Sequence, residues 1–265
     1  MDFALLRNSN SVVLFHRENG VVFSGKGDTS LREVFGKYGV HGTRQILNLI
    51  PSSLTEDEVH AVRYQLFKAG IHQEVLLPLN IALAPNEGVV LVISSGPDLC
   101  DISVVKNGEI IAGGSIASLE RELANELGLF LRDTLNLDVS PEEVKEARDE
   151  LVTFFERDAR KVFLSGVNLN SQSYQDITLD SRDFYPMAQP IYKKLMTAVK
   201  KILSQVGVKD MAALKEFPFI LFGKVFNAPG VIEFFYKELE RNVVIVSTQD
   251  LADRLVDVMD SQKIL

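Results

Sequence analysis

Apolar residues recur along this chain with two periods, and one uninterrupted run sets the centre of the pattern. Gly88-Val89-Val90-Leu91-Val92-Ile93 is apolar at strand length, Ser94-Ser95-Gly96-Pro97-Asp98 is turn chemistry, and 99–105 is a second strand closed by Lys106-Asn107-Gly108-Glu109. Asn-Gly supplies the positive φ that a two-residue hairpin turn requires. Upstream, 4–15 and 20–23 read as two strands joined across His16-Arg17-Glu18-Asn19-Gly20. A brief helix is expected over 31–38 and a strand over 45–50. Thr55 and Glu58 form a capping box for a helix over 56–69, where Val59, Val62, Leu66 and Ala69 share one face and Gly70 follows. Residues 74–84 read as a strand running into a helix. Downstream, apolar positions 119, 123, 127, 130, 131 and 135 predict an amphipathic helix. Ser140-Pro141-Glu142-Glu143 opens another, with Ser140 as cap and Pro141 in the first turn. Paired strands are expected over 161–167 and 175–179. A long helix over 184–206, started or kinked at Pro186 and Pro190, comes next. Strand, helix, strand and helix then follow over 217–222, 231–239, 243–247 and 251–258. Strands interleaved with helices place the chain in the α/β class.

Composition narrows the function classes. The 265 residues hold 36 acidic and 28 basic side chains, a net charge of −8, and the cations are scattered. Phosphate-backbone binding therefore has no electrostatic footprint, which excludes nucleic acid as the expected partner. No apolar run approaches the roughly 20 residues that span a bilayer, and Met1-Asp2-Phe3-Ala4 lacks a basic flank. With the single Cys100 fitting a reducing compartment, the reading is a cytoplasmic protein without direct membrane insertion. His16, His41, His60 and His72 show no ligand spacing, and no metal site is expected. The segment 20–27 ends Gly25-Lys26-Gly27, a near miss to a nucleotide-binding P-loop, but it lacks the hydroxyl that would hold magnesium.

The central hairpin resembles that of the actin-like ATPase superfamily, and most closely of the bacterial cell-shape actins of the MreB type. There the hairpin carries a phosphate loop, Asp-x-Gly-Gly-Gly-Thr-Thr-Asp, to which this chain aligns as Ser94-Ser95-Gly96-Pro97-Asp98-Leu99-Cys100-Asp101. The family's first phosphate loop, Asp-x-Gly-Thr with Asn and Thr beyond, falls on Leu5, Arg7 and Asn8, with Asn10 and Ser11 keeping its polar end. Its Glu-Glu-Pro element falls on Leu79 and Asn80. Its Thr-Ala-Glu-x-x-Lys element, near the adenosine, is matched by Glu142 and Lys145. Its adenosine loop is matched by Gly223 and Gly230, with Lys224, Val225 and Phe226 between them.

The resemblance implies an actin-like (ribonuclease H-like) two-lobed α/β fold, with mixed sheets flanked by helices. Residues 1–84 would form a first lobe lacking its small subdomain, 85–265 the second, and a helix near 250–259 would pack back on the first. A vestigial nucleotide cleft is expected at Asn10, Ser11, Ser94, Ser95, Gly96, Glu142, Lys145, Gly223 and Gly230. Leu5 and Ser94 stand where the family has aspartates, Leu79 and Asn80 where it has glutamates, and Pro97 lacks an amide donor. These losses imply a degenerate ATPase with no catalytic residues and no cofactor, with ATP and magnesium as the lesser alternative. The implied role is a scaffold or binding partner in bacterial cytoskeleton, cell-shape or envelope assembly. Its partners would be proteins, self-association included. An active filament-forming ATPase and a PilM-like pilus-assembly adaptor are the alternatives.

Overall fold

The computed structural model describes residues 2–7, 11–27, 29–40 and 45–261. The first half builds β1 (Phe3–Arg7), β2 (Ser11–His16), β3 (Gly20–Lys26), α1 (Leu31–Lys37), β4 (Ile46–Ile50), α2 (Glu56–Lys68), β5 (Glu74–Pro78) and α3 (Leu79–Leu83). Then come β6 (Val89–Ser95), β7 (Leu99–Lys106), β8 (Glu109–Ala117), α4 (Leu119–Leu129), β9 (Leu137–Asp138) and α5 (Pro141–Leu151). The chain closes with β10 (Lys161–Asn168), β11 (Tyr174–Asp180), α6 (Ser181–Leu203), α7 (Val208–Ala213), β12 (Phe219–Phe222), α8 (Val231–Leu239), β13 (Val243–Val246) and α9 (Thr248–Ser261).

The chain makes the same sheet twice. One five-stranded sheet runs β3-β2-β1-β4-β5 and the other β8-β7-β6-β12-β13. In each, three consecutive strands pair antiparallel and two later strands add in parallel. A separate three-stranded sheet, β11-β10-β9, lies between β8 and β12 in sequence. Successive strand residues point to opposite faces, and here both faces of each large sheet are apolar because both are covered. Phe3, Leu5, Val12 and Leu14 pack against Leu31, Val34 and Phe35 of α1 and Leu66 of α2. Leu91, Ile93, Ile102 and Val104 pack with residues of α4, α5 and α6.

The remaining faces of the two sheets share one core. Ala4, Val13, Phe15, Leu47 and Leu49 of the first sheet cluster with Val90, Val92, Ile220 and Val246 of the second. Between them lie Leu79, Ala82 and Leu83 of α3 and Leu251, Ala252, Leu255 and Met259 of α9. Each helix reaches across: α3 follows the first sheet yet packs on β6 and β7, while α9 follows the second yet packs on β3. Arg254 of α9 donates to the carbonyl of Leu83 at the end of α3, where a cation also meets the helix dipole favourably.

Several elements differ from the pattern-based reading. The single strand expected over 4–15 is two antiparallel strands, β1 and β2, and Asn8 and Asn10, aligned with the first phosphate loop, lie outside the described residues. Ser94 and Ser95 continue β6 by pairing with Asp101 and Cys100, which shortens the expected turn to Gly96-Pro97-Asp98. The helix expected to run to 135 ends as α4 at Leu129 and passes into a π-helical turn, Phe130–Thr134. α6 begins earlier, capped by Asp180, and continues through Pro186 and Pro190. Burial of Phe184, Ala188, Ile191, Leu195 and Val199 along one stripe outweighs the hydrogen bonds the prolines remove.

Leu83 and Leu255 are both fully buried in the shared core. Leu83→Ala and Leu255→Ala are each expected to cost about 3 kcal/mol of unfolding free energy. Urea denaturation followed by circular dichroism measures this, and a loss near zero for either would remove the helix pair from its structural role.

Candidate functional site

The first cluster of interest ties the two sheets together. Alternation along β7 sends Cys100, Ile102 and Val104 into the second sheet's own core, leaving Asp101 and Ser103 on the face toward the first sheet. Ser52, just beyond β4, donates its amide (2.7 Å) and hydroxyl (2.5 Å) to Asp101 Oδ2. Ser52 Oγ also lies 3.0 Å from Ser103 Oγ, which accepts from Asn80 Nδ2 of α3 at 3.0 Å. Asp101 is only 1% exposed and Asn80 fully buried. Burial pushes the Asp101 carboxyl above the ordinary carboxylate range, although the Ser52 hydroxyl and amide and the Ser53 hydroxyl act against that. Asp101 Oδ1, Asn80 Oδ1 and Ser53 Oγ have no hydrogen-bond partner of normal geometry.

The second cluster is the β6–β7 turn. Gly96 donates its amide to Leu99 O at 3.0 Å, and Pro97 has none to give. The outward carbonyls are also occupied: Ser118, the cap of α4, donates its hydroxyl to Gly96 O at 2.7 Å, and Arg121 Nη2 donates to Pro97 O at 2.9 Å. α4 therefore fixes this turn from the second-sheet side. Ser95 Oγ is buried without a hydrogen-bond partner of normal geometry, and it lies near the Cys100 thiol. Burial raises that thiol far above its usual range. A cavity of about 410 Å³ opens between the turn and the first sheet, walled by Leu5, Arg7, Asn48, Pro51, Gln65 and Asp98.

The third cluster surrounds Gly223, at the end of β12. Its φ is +127°, and a Cβ there would stand 2.2 Å from Ser95 O, so only glycine permits β12 to end against β6. Beyond it, Lys224 pairs with Asp149, which also accepts from Arg148 Nε at 2.8 Å. Arg148 Nη1 donates to Glu120 O at 2.8 Å. Burial pushes the Glu120 carboxyl up, with Arg148 acting against it. These side chains wall a cavity of about 190 Å³. Phe226 is fully buried against Phe235.

Of the residues expected at the cleft, Ser94, Ser95, Gly96 and Gly223 are brought together by the β12–β6–β7 pairing. Ser11 opens β2, and Asn10 lies outside the described residues. Glu142 and Lys145 are exposed on the first turns of α5, and Lys145 borders a different cavity, against α4. Gly230 caps α8 and packs against Phe155. Sequence reasoning missed Arg148, Asp149 and Glu120. The signal was visible: Arg148 shares the buried face of α5 with Val144, Ala147 and Leu151.

Two five-stranded sheets of one topology, with α3 and α9 packed between them, make the actin-like fold that the resemblance implied. Solved structures of MreB5 from Spiroplasma citri match it: the ADP-bound form at TM-score 0.86 and 12% identity, over 100% of this chain and 97% of that one. The AMPPNP-bound form matches at TM-score 0.84 and 12% identity, over 100% and 98%. No family model and no curated protein sequence matches the chain.

These matches correct the expectation of a fold without a cofactor, since both MreB5 structures hold an adenine nucleotide. The physical reason is that carboxylates which place metal and water act on the hydrolytic transition state, whereas ground-state binding is a separate free energy. Among the described residues no three His, Cys, Asp or Glu side chains converge.

Gly223→Ala is expected to destabilise the fold by at least about 2 kcal/mol, from strained φ and the clash with Ser95 O, read as a lower melting temperature. Asp101 gives a pH signature. Because its folded-state pKa is raised, the native state binds the proton more tightly than the unfolded chain, so its contribution to stability falls as pH rises from the ordinary carboxylate range through the raised value. Asp101→Asn should remove that slope. Urea titrations on either side of the interval should show the variant gaining on the wild type as pH rises; parallel curves would contradict the assignment.

Proposed function

We propose that this is an actin-like protein that takes an adenine nucleotide between its two sheets without hydrolysing it at a useful rate, and that works as a scaffold or binding partner in bacterial cytoskeletal or envelope assembly. The observation that carries the reading is where the family's carboxylate positions lie. Leu5 is 1% exposed and belongs to the apolar core under α1 and α2. Ser94 sits within the β6–β7 ladder, Leu79 packs in the shared core, and Asn80 is bound to Ser103. Asp101, the acid buried at the cleft floor, is committed to Ser52. A lost electrostatic group of this kind costs on the order of 3 kcal/mol in the transition state, so two losses alone slow turnover by about four orders of magnitude. The nucleotide half of the reading is supported by the ligands of the MreB5 structures and by the retained close approach at Gly223. The turn amides are poor anion donors, so binding is expected to depend on the base and sugar side near Lys224 and Arg148.

Titration with a fluorescent ATP analogue in magnesium buffer should give saturable binding. In the same buffer, phosphate release from ATP should stay at the protein-free rate. Multiple-turnover release, with sedimentation that depends on nucleotide, would replace this reading by a filament-forming ATPase, and absence of binding would remove the nucleotide from it.

A further inference from the structure

Sheet edges display unpaired backbone groups, and folded proteins guard them with bulges, prolines, charged side chains, short length or a covering helix. The six edges here are guarded unequally. β3 and β8 have bulged pairing and are crossed by α9 and α6. β5 ends in Pro78, β13 has four residues and β9 has two. β11 is guarded least: it has no bulge and is neither short nor proline-ended, α6 leaves from its end and packs on it, and Asp176 is its one exposed charge. Its seven residues, Tyr-Gln-Asp-Ile-Thr-Leu-Asp, contain no proline, lysine or arginine, and they pair with β10 in unbroken register. Among the described residues, no backbone group from 174 to 179 bonds outside that ladder. Tyr174, Gln175, Asp176 and Thr178 are exposed, and the outer face of the hairpin adds Phe163 and Tyr174 at 80% and 84% exposure.

We propose that β11 is a dimerisation edge, at which two copies of this chain pair antiparallel about a two-fold axis through Ile177 and merge their three-stranded sheets into one. The strand is self-complementary in that register and in no neighbouring one. Pairing about Ile177 aligns all seven residues, with Tyr174 opposite Asp180, Gln175 opposite Leu179 and Asp176 opposite Thr178 of the second copy. The inner face then gains a continuous apolar row, Leu164 and Ile177 followed by Ile177 and Leu164 of the second copy, because Leu164 is the β10 partner of Ile177. Ile177, half-buried in the single chain, becomes covered. An axis through Asp176 would oppose two carboxylates, and an axis through Thr178 would set Asp176 against Asp180; like charges directly opposite are unfavourable. An isologous contact of this kind closes after two copies. Each copy carries a net charge of −8, so added salt favours the pair. This inference rests on the hairpin alone and does not depend on the nucleotide reading.

Sedimentation velocity of the full chain, from low to high micromolar concentration, should show a monomer–dimer equilibrium that strengthens with salt. Thr178→Asp places a carboxylate opposite Asp176 of the second copy and Thr178→Lys places a cation there. Each contact occurs twice about the axis, so the dissociation constant is expected to rise about fivefold in the first variant and fall about fivefold in the second. The same charges at Val208, which is 89% exposed on α7, serve as the control for net charge and are expected to leave it within about twofold. Circular dichroism verifies that all four variants fold. A monomer at every concentration overturns the proposal. So does a dimer that fails to respond in opposite directions at Thr178, or that responds equally at Val208.

Discussion

The structure depends on a layer of two helices held between two sheets. Neither sheet covers its own inward face; that is left to α3 and α9, each supplied by one half of the chain and packed against the strands of the other. Because interiors are close-packed, a layer shared in this way transmits displacement, and one sheet cannot shift on its partner without disturbing both helices. The Arg254–Leu83 contact pins the helices to each other. At the edge of the layer the packing turns polar, where Ser52, Asn80, Ser103 and Asp101 join β4, α3 and β7. An acid buried this deeply disfavours its own ionisation. What it contributes is direction: the bonds from Ser52 to Asp101 form only when the end of β4 stands opposite β7.

The cleft inherits its shape from that layer. The β6–β7 turn is drawn toward α4 by Ser118 and Arg121, and the end of β12 is drawn against Ser95 by the absence of a side chain at Gly223. The turn is thus held by two side-chain donors onto its carbonyls, and the end of β12 by a close approach that only glycine permits. The architecture coincides with that of MreB5 at 12% identity.

Most of the elements were legible in the sequence, for local reasons. The Asn107–Gly108 turn adopts positive φ at both residues, and Thr55 and Glu58 close their capping box. Ser140 caps α5 as its spacing with Glu143 implied. What escaped was set by partners far along the chain. The break between β1 and β2 lies in a stretch whose apolar flanks imitate one strand, and Ser94 and Ser95 look like turn residues until β7 supplies their ladder. The prolines of α6 look like boundaries until its buried stripe is counted as one face. At the site, matching motifs located the glycine that meets β6, but they carried no pattern for Arg148 and Asp149, whose partners Glu120 and Lys224 lie far along the chain. Inferring an empty fold from missing carboxylates confused two free energies, one for holding a ligand and one for transforming it.

Cys100 carries a consequence of its own. It is the only cysteine of the chain, it has no solvent exposure, and its sulfur stays protonated well beyond neutral pH. Thiol reagents attack the thiolate, so in the folded protein this atom is chemically silent. It becomes reactive only when β6 and β7 come apart. The protein thereby contains its own clock for the opening of its second sheet, and its surface is a blank ground on which any introduced thiol would be the sole point of attachment for a probe.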